Sequence, residues 1–158
     1  FRRVLFRSAV ERGHITVMGG GRQWRPLVHV ADVARAFRAA IDAPATRVAG
    51  QVFNVGLCNH QIRSLAFIVR ETLPIPVTVA IAPDDADRRN YSISFAKARE
   101  GLGFAATIGV EDGVREIYDA LKYGRVENGP KTVTVGWYRS ILEAKRLISA
   151  VELNGRVL

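Results

Sequence analysis

The chain has 158 residues, 48% of them apolar, and a formal net charge of +8. That length supports one domain with a real core, and no apolar run approaches the roughly 18 residues of a membrane span. The opening Phe1-Arg2-Arg3-Val4-Leu5-Phe6-Arg7 is broken by Arg7 and then Glu11, so it lacks the apolar stretch of a signal peptide. With Phe1 in place of Met at its start, the sequence is expected to have its natural N-terminus elsewhere, and the single cysteine, Cys58, excludes an internal disulfide and fits a reducing, cytoplasmic compartment.

The positive charge is concentrated. Residues 1–30 hold six arginines (Arg2, Arg3, Arg7, Arg12, Arg22, Arg25) against Glu11, which is +5, leaving +3 for the other 128 residues. A local excess of this kind fits a nucleic-acid surface, a phosphate site or a solvated face.

In chain order, residues 2–12 predict a short helix closed by Gly13. Ile15 to Met18 is β-rich and stops at Gly19-Gly20-Gly21, which reads as a hairpin turn into a second strand, Leu27-Val28-His29-Val30. Asp32 opens a helix to about Asp42, with Val33, Phe37 and Ile41 as its buried stripe and Pro44 as its stop. Gln51 to Gly56 predicts a third strand. Asn59 is placed to cap the next helix, whose inner face is Ile62, Leu65, Ile68 and Val69. Val77 to Ala82 alternates as a strand, and a charged loop runs from Pro83 to Asn90. Tyr91 to Ser94 reads as a brief strand. Ser94 caps a helix over 95–102 that closes at Gly103. Residues 110–123 form the strongest helical pattern, with Val110, Val114, Ile117, Tyr118 and Leu121 on one face and Gly124 at its end. Beyond a linker at 125–131, the pattern predicts a strand over Thr132–Val135, a helix over Trp137–Ile148 and a hairpin turned at Asn154-Gly155. Short strands alternating with helices make this an α/β chain.

Several residues invite chemistry and are better explained otherwise. The glycine triplet lacks the dinucleotide spacing and leads into a strand, whereas a pyrophosphate cradle needs a strand, a turn and then a helix N-terminus. No other stretch offers that arrangement, so the sequence predicts no NAD site and no cofactor-binding residue. Tyr118 and Lys122 have the spacing of a proton-transfer pair on one helix face, but Tyr118 belongs to an apolar stripe and reads as packing. His29, amid apolar neighbours, reads as a core residue, Asp32 as a helix cap or anchor, Asn54 as a strand residue bonding nearby backbone, and Cys58 as an unactivated thiol. His14, His29 and His60 are scattered, and no metal site is predicted.

From residue 15 onward a family likeness takes shape. Ile15-Thr16-Val17, the triple glycine, Gln23-Trp24-Arg25, then Leu27-Val28-His29-Val30-Ala31-Asp32-Val33-Ala34 resembles a segment of the extended short-chain dehydrogenase/reductases. Val52-Phe53-Asn54-Val55-Gly56, the helix start at Asn59–Ala66, the arginine-bearing loop Asp87-Arg88-Arg89-Asn90-Tyr91, Leu102-Gly103-Phe104 and Val110-Glu111-Asp112-Gly113-Val114 follow in the family's order. The likeness covers residues 13–124. Residues 1–12 match poorly, and 125–158 stand as a C-terminal extension.

The resemblance implies the substrate-binding, C-terminal part of an NAD-dependent sugar-nucleotide epimerase/dehydratase of Rossmann type, with the dinucleotide-binding domain and the catalytic residues lying outside this chain. It implies NAD(P) for the complete enzyme and none for this part alone. The substrate would be a nucleotide-diphosphate sugar, and dimers would form through the cofactor domain. By motif match, Arg25 and Arg89 are the cations for the diphosphate, since a guanidinium fork suits phosphate oxygens. Gln23 shares Arg25's face, Arg88 is the alternative to Arg89 by one register step, and Gln61 is placed to reach the nucleotide. Neither a nucleic-acid partner nor a membrane is expected. Two other readings stay open: a basic nucleic-acid-binding module, and a non-catalytic interaction domain built on the same fold.

Overall fold

The computed structural model describes residues 2–83, 89–126, 134–153 and 156–157. These fall into two compact units, residues 1–119 and 120–158.

In the first unit, α1 (Arg2–Arg12) ends where Gly13 takes φ 61° and its N–H reaches the Ala9 carbonyl at 3.1 Å, a left-handed closure that favours glycine. Strand β1 (His14–Val17) alternates as a half-buried strand should, with Ile15 and Val17 inside and Thr16 outside. It pairs in parallel with β4 (Thr78–Ile81). Helix α4 (Ile62–Thr72) turns Ile62, Leu65, Ala66 and Val69 inward, and these join Leu5 and Ala9 of α1, Ile15, Val17 and Val114 in the main core. Segment 2–12 is thus an integral layer of that core.

Strand β2 (Trp24–Leu27) pairs antiparallel with β3 (Cys58–Gln61). The expected β1–β2 hairpin is therefore corrected. The two strands belong to different sheets, and Gly19–Gly21 is a connecting turn with all three glycines at positive φ. The expected strand over 27–30 is also shifted. It ends at Leu27, and α2 (Val30–Asp42) begins two residues before Asp32. That helix buries Asp32 and Ala36, while Phe37 and Ile41, expected inside, are exposed. A short α3 (Ala45–Val48) follows.

Residues 51–56 run without a ladder partner, and residues 91–94 likewise form no strand. Asn59 lies within β3 and does not cap α4; its side chain bridges to Ile93, accepting the N–H at 3.0 Å and donating to the carbonyl at 2.9 Å. Helix α5 (Ala96–Leu102) closes at Gly103 with φ 62°. Ser94 Oγ accepts the Ala96 N–H. A second cluster joins Ala36, Ala98 and Phe104 with Phe53 and Val55. Helix α6 (Val110–Lys122) places Val114 in the core, with Val110 and Tyr118 packed against it.

In the second unit α7 (Thr134–Val151) runs directly into β5 (Glu152–Leu153), which pairs antiparallel with β6 (Arg156–Val157). The strand expected over 132–135 is corrected at its end, where Thr134 and Val135 are helical; residues 132–133 and the turn Asn154-Gly155 lie outside the described residues.

Candidate functional site

The arginine expected to meet phosphate lies in the middle of β2. Arg25 Nη1 donates to the Trp24 carbonyl at 2.8 Å and to the Arg89 carbonyl at 2.6 Å. Its guanidinium carbon also sits 5.1 Å from the centroid of the Tyr91 ring, a cation–π distance. The Trp24 N–H donates to Asn90 Oδ1 at 2.9 Å. Three successive residues of the loop, 89, 90 and 91, therefore each touch Trp24 or Arg25. The fold brings the Arg89 segment onto Arg25 across 64 positions of sequence, and Arg89 itself is exposed. Arg88 lies outside the described residues.

The ladder register sorts the remaining candidates. Arg25 stands opposite His60, and Trp24 opposite Gln61. Residues directly opposite in an antiparallel pair share a face, and neighbours along a strand point to opposite faces. Gln61 is thus on the other face from Arg25, while His60, absent from the sequence reading of the site, is on the same one. Gln23 uses its carbonyl to accept the Ile62 N–H at 3.1 Å, and its Oε1 is buried with no hydrogen-bond partner among the described residues. Sequence reasoning also passed over Asn90 and Tyr91. The one available signal was an exposed-type aromatic two residues after a candidate arginine.

Two residues have structural duties that differ from their sequence readings. His29, expected as a core strand residue, caps α2, with Nδ1 accepting the Ala31 N–H at 3.2 Å; its Nε2 lies 2.7 Å from Glu116 Oε2. Asp32 is fully buried. It pairs with Arg35 within α2 and accepts the N–H groups of Thr107 and Ile108, each at 3.0 Å. Burial alone would push its carboxyl up, but the Ile108 N–H, Arg35 and the Thr107 N–H outweigh burial and hold it below the ordinary 3.8. Asp32 is therefore not the counter-charge of Arg25. Cys58 is half-buried; burial, with Glu111 nearby, pushes its thiol up, the opposite of an activated nucleophile.

A cleft of about 370 Å³ lies elsewhere in the first unit, lined by Phe6, Leu27, His29, Leu57, Val110 and Glu116 among others. Neither Arg25 nor Arg89 borders it. Among the described residues no group of histidine, cysteine and carboxylate side chains could hold a metal ion, and no helix is long and apolar enough to cross a membrane.

Residues 3–56 match the NAD dependent epimerase/dehydratase family. No curated protein matches the sequence. Among solved structures, the chain is similar to a UDP-glucose 4-epimerase from Thermotoga maritima, crystallised with UDP-glucose, at 22% identity and a TM-score of 0.66, covering 80% of this chain and 40% of the other. It is similar to a UDP-glucuronic acid 4-epimerase from Bacillus cereus, in complex with UDP-glucuronic acid and NAD, at 21% identity and a TM-score of 0.63, covering 75% and 38%. A GalE-like L-threonine dehydrogenase from Cupriavidus necator gives 22% identity and a TM-score of 0.62, covering 74% and 44%. The chain thus spans well under half the length of these proteins.

Proposed function

We propose that this chain, a member over residues 3–56 of the NAD dependent epimerase/dehydratase family, forms the nucleotide-sugar-binding side of such an enzyme, with Arg25 as the main ligand of the substrate diphosphate. The carrying observation is the contact between the Arg25 guanidinium and the Arg89 carbonyl. It brings the Arg89 backbone onto Arg25, and on this reading both arginines serve one pyrophosphate. Arginine suits this task because its planar fork meets two phosphate oxygens at once. His60 shares the Arg25 face by register and lies within the same neighbourhood.

The transient oxidation of a sugar carbon would use NAD(P) held by residues outside the chain. Tyr118 and Lys122 take no part, since Tyr118 packs against the core. This chain alone binds substrate and turns nothing over. Two observations support that division of labour. Helix α2 exposes Val30, Phe37 and Ile41 at 74%, 68% and 80%, an apolar row of the sort that another layer covers. Beside it, residues 52–56 form neither helix nor strand, and no backbone bond from their N–H groups occurs among the described residues, which leaves their donors for a sheet completed elsewhere.

The test is a calorimetric titration of uridine diphosphate into the 158-residue chain. Arg25→Ala should weaken binding about tenfold or more, as removal of a charge-assisted phosphate contact does, and Arg89→Ala should weaken it as well. Unchanged affinity in both variants overturns the assignment.

A further inference from the structure

We infer that Asn59 is a positioning residue for the arginine-bearing loop, seating residues 89–93 on the β2–β3 ribbon; this rests on the reading of that loop as the diphosphate side of the site. Residues 89–95 form neither helix nor strand, so their backbone groups need partners from elsewhere. Asn59 supplies two of them at a single residue. Its Oδ1 accepts the Ile93 N–H at 3.0 Å, and its Nδ2 donates to the Ile93 carbonyl at 2.9 Å. A carboxamide carries an acceptor and a donor side by side, as a peptide group does. Asn59 therefore stands in for the neighbouring strand that this stretch lacks.

The clamp acts at a distance because of where Asn59 sits. It stands opposite Pro26 in the ladder, next to the Arg25–His60 pair, so the ribbon that carries Arg25 also carries the clamp. Earlier in the loop, Asn90 Oδ1 accepts the Trp24 N–H at 2.9 Å, and the Arg89 carbonyl accepts from Arg25. Later in it, the Phe95 ring takes the space that a Cβ on Gly56 would need. Ile93 lies between these anchors. With Ile93 fixed, only Tyr91 and Ser92 separate it from Asn90. A short span between fixed ends has little freedom, which keeps Arg89 and Asn90 seated on β2. A ligand that meets the loop already in place does not have to order it, and that ordering would otherwise be taken from its affinity.

Amide hydrogen exchange by NMR and calorimetry with uridine diphosphate test this together on the 158-residue chain. Asn59→Ala should speed exchange at Ile93, whose acceptor is gone. It should also speed exchange about tenfold at Trp24, whose N–H bonds Asn90 and not Asn59, while the Leu65 amide within α4 keeps its rate. The same variant should weaken uridine diphosphate binding about three- to tenfold, the effect of losing two hydrogen bonds that hold the loop ready. Asn59→Ser replaces the alanine variant should that one aggregate. Faster exchange at Ile93 with Trp24 unchanged makes Asn59 a local bond and overturns the positioning role. Equal acceleration at Leu65 marks a general loss of stability and overturns it too. So does a Kd within twofold of the parent while Ile93 and Trp24 both exchange faster. An unchanged Kd in both Arg25→Ala and Arg89→Ala overturns instead the diphosphate reading, and the exchange rates, which need no ligand, keep the two failures apart.

Discussion

Asp32 and Ile108 stand 76 positions apart, yet the Ile108 N–H donates to the Asp32 carboxylate at 3.0 Å. The same carboxylate accepts the Thr107 N–H and pairs with Arg35 one helical turn away. A buried carboxylate with this many donors is the anchor that ties the segment leading into α6 to the inner side of α2. Asp32→Ala would leave the two backbone donors without their acceptor and take the carboxylate from Arg35, which keeps Thr107 Oγ1 at 2.8 Å and the Ala105 carbonyl at 3.4 Å. Charge-assisted bonds are worth about 1.5–3 kcal/mol, and breaking a buried charged set costs about 3–5 kcal/mol. We expect Asp32→Ala to lower stability by about 3 kcal/mol in urea denaturation, and Asp32→Asn, which keeps one acceptor oxygen, by less. A loss below about 1 kcal/mol for the alanine variant would remove the anchor from the account.

The same carboxyl makes a pH prediction. Its folded-state pKa lies below the ordinary 3.8. A carboxyl depressed by folding adds stability that is complete above its unfolded value and is lost as pH falls through the folded one. Stability should therefore drop as pH falls below about 4, and the Asp32→Asn variant should drop less steeply over that window. Parallel acid titrations of the two proteins, followed by circular dichroism, measure the difference. Identical acid limbs would mean that other carboxylates carry the dependence.

The glycine turn between β1 and β2 separates two physical costs. Gly20 has φ 67° and nothing within 4 Å of the place a Cβ would take. Gly21 has φ 66°, and its Cβ would meet the Val17 side chain, the Arg63 Cβ at 2.7 Å and the Arg63 nitrogen at 2.9 Å. Gly20→Ala bears only the left-handed backbone cost, about 1–2 kcal/mol. Gly21→Ala adds overpacking of about 1–3 kcal/mol against a helix that cannot move aside easily. Chemical denaturation should rank the parent above Gly20→Ala and Gly20→Ala above Gly21→Ala. Equal losses would show that sterics at position 21 are relieved by a small shift.

Much of this architecture was legible in the residues. Gly13, Gly103 and Gly124 each take the positive φ that their place after a helix implied, and the Ile62, Leu65 and Val69 face of α4 is buried as its spacing required. Other parts were hidden for definite reasons. His29 sits among apolar neighbours, so it read as a strand residue, but its role as a cap follows from where α2 starts, which local pattern sets poorly. The glycine turn read as a hairpin because two apolar runs flank it, whereas the partners of those runs, β4 and β3, are remote in sequence. The contacts of Asn90 and Tyr91 with β2 cross 66 positions, and no local signal encodes such a distance. Motif order alone pointed to Arg25 and Arg89, and their neighbours Tyr91 and His60 came only with the fold.

The exposed row on α2 shows the limit of periodicity, since a repeat of Val33, Phe37 and Ile41 marks an apolar face without naming what covers it. In this chain the covered side of that helix is Asp32 and Ala36, so Phe37 and Ile41 contribute little to its stability. Replacing them with Phe37→Ser and Ile41→Lys should change the unfolding free energy by less than about 0.5 kcal/mol each, as surface substitutions do. Leu65→Ala, at a position that is 1% exposed, should by contrast cost about 2–5 kcal/mol. The surface variants should also reduce self-association in analytical ultracentrifugation, because they remove an apolar row that water otherwise wets. If Phe37→Ser destabilises the chain as much as Leu65→Ala does, that face is part of this chain's own core and the case for a covering layer outside it fails.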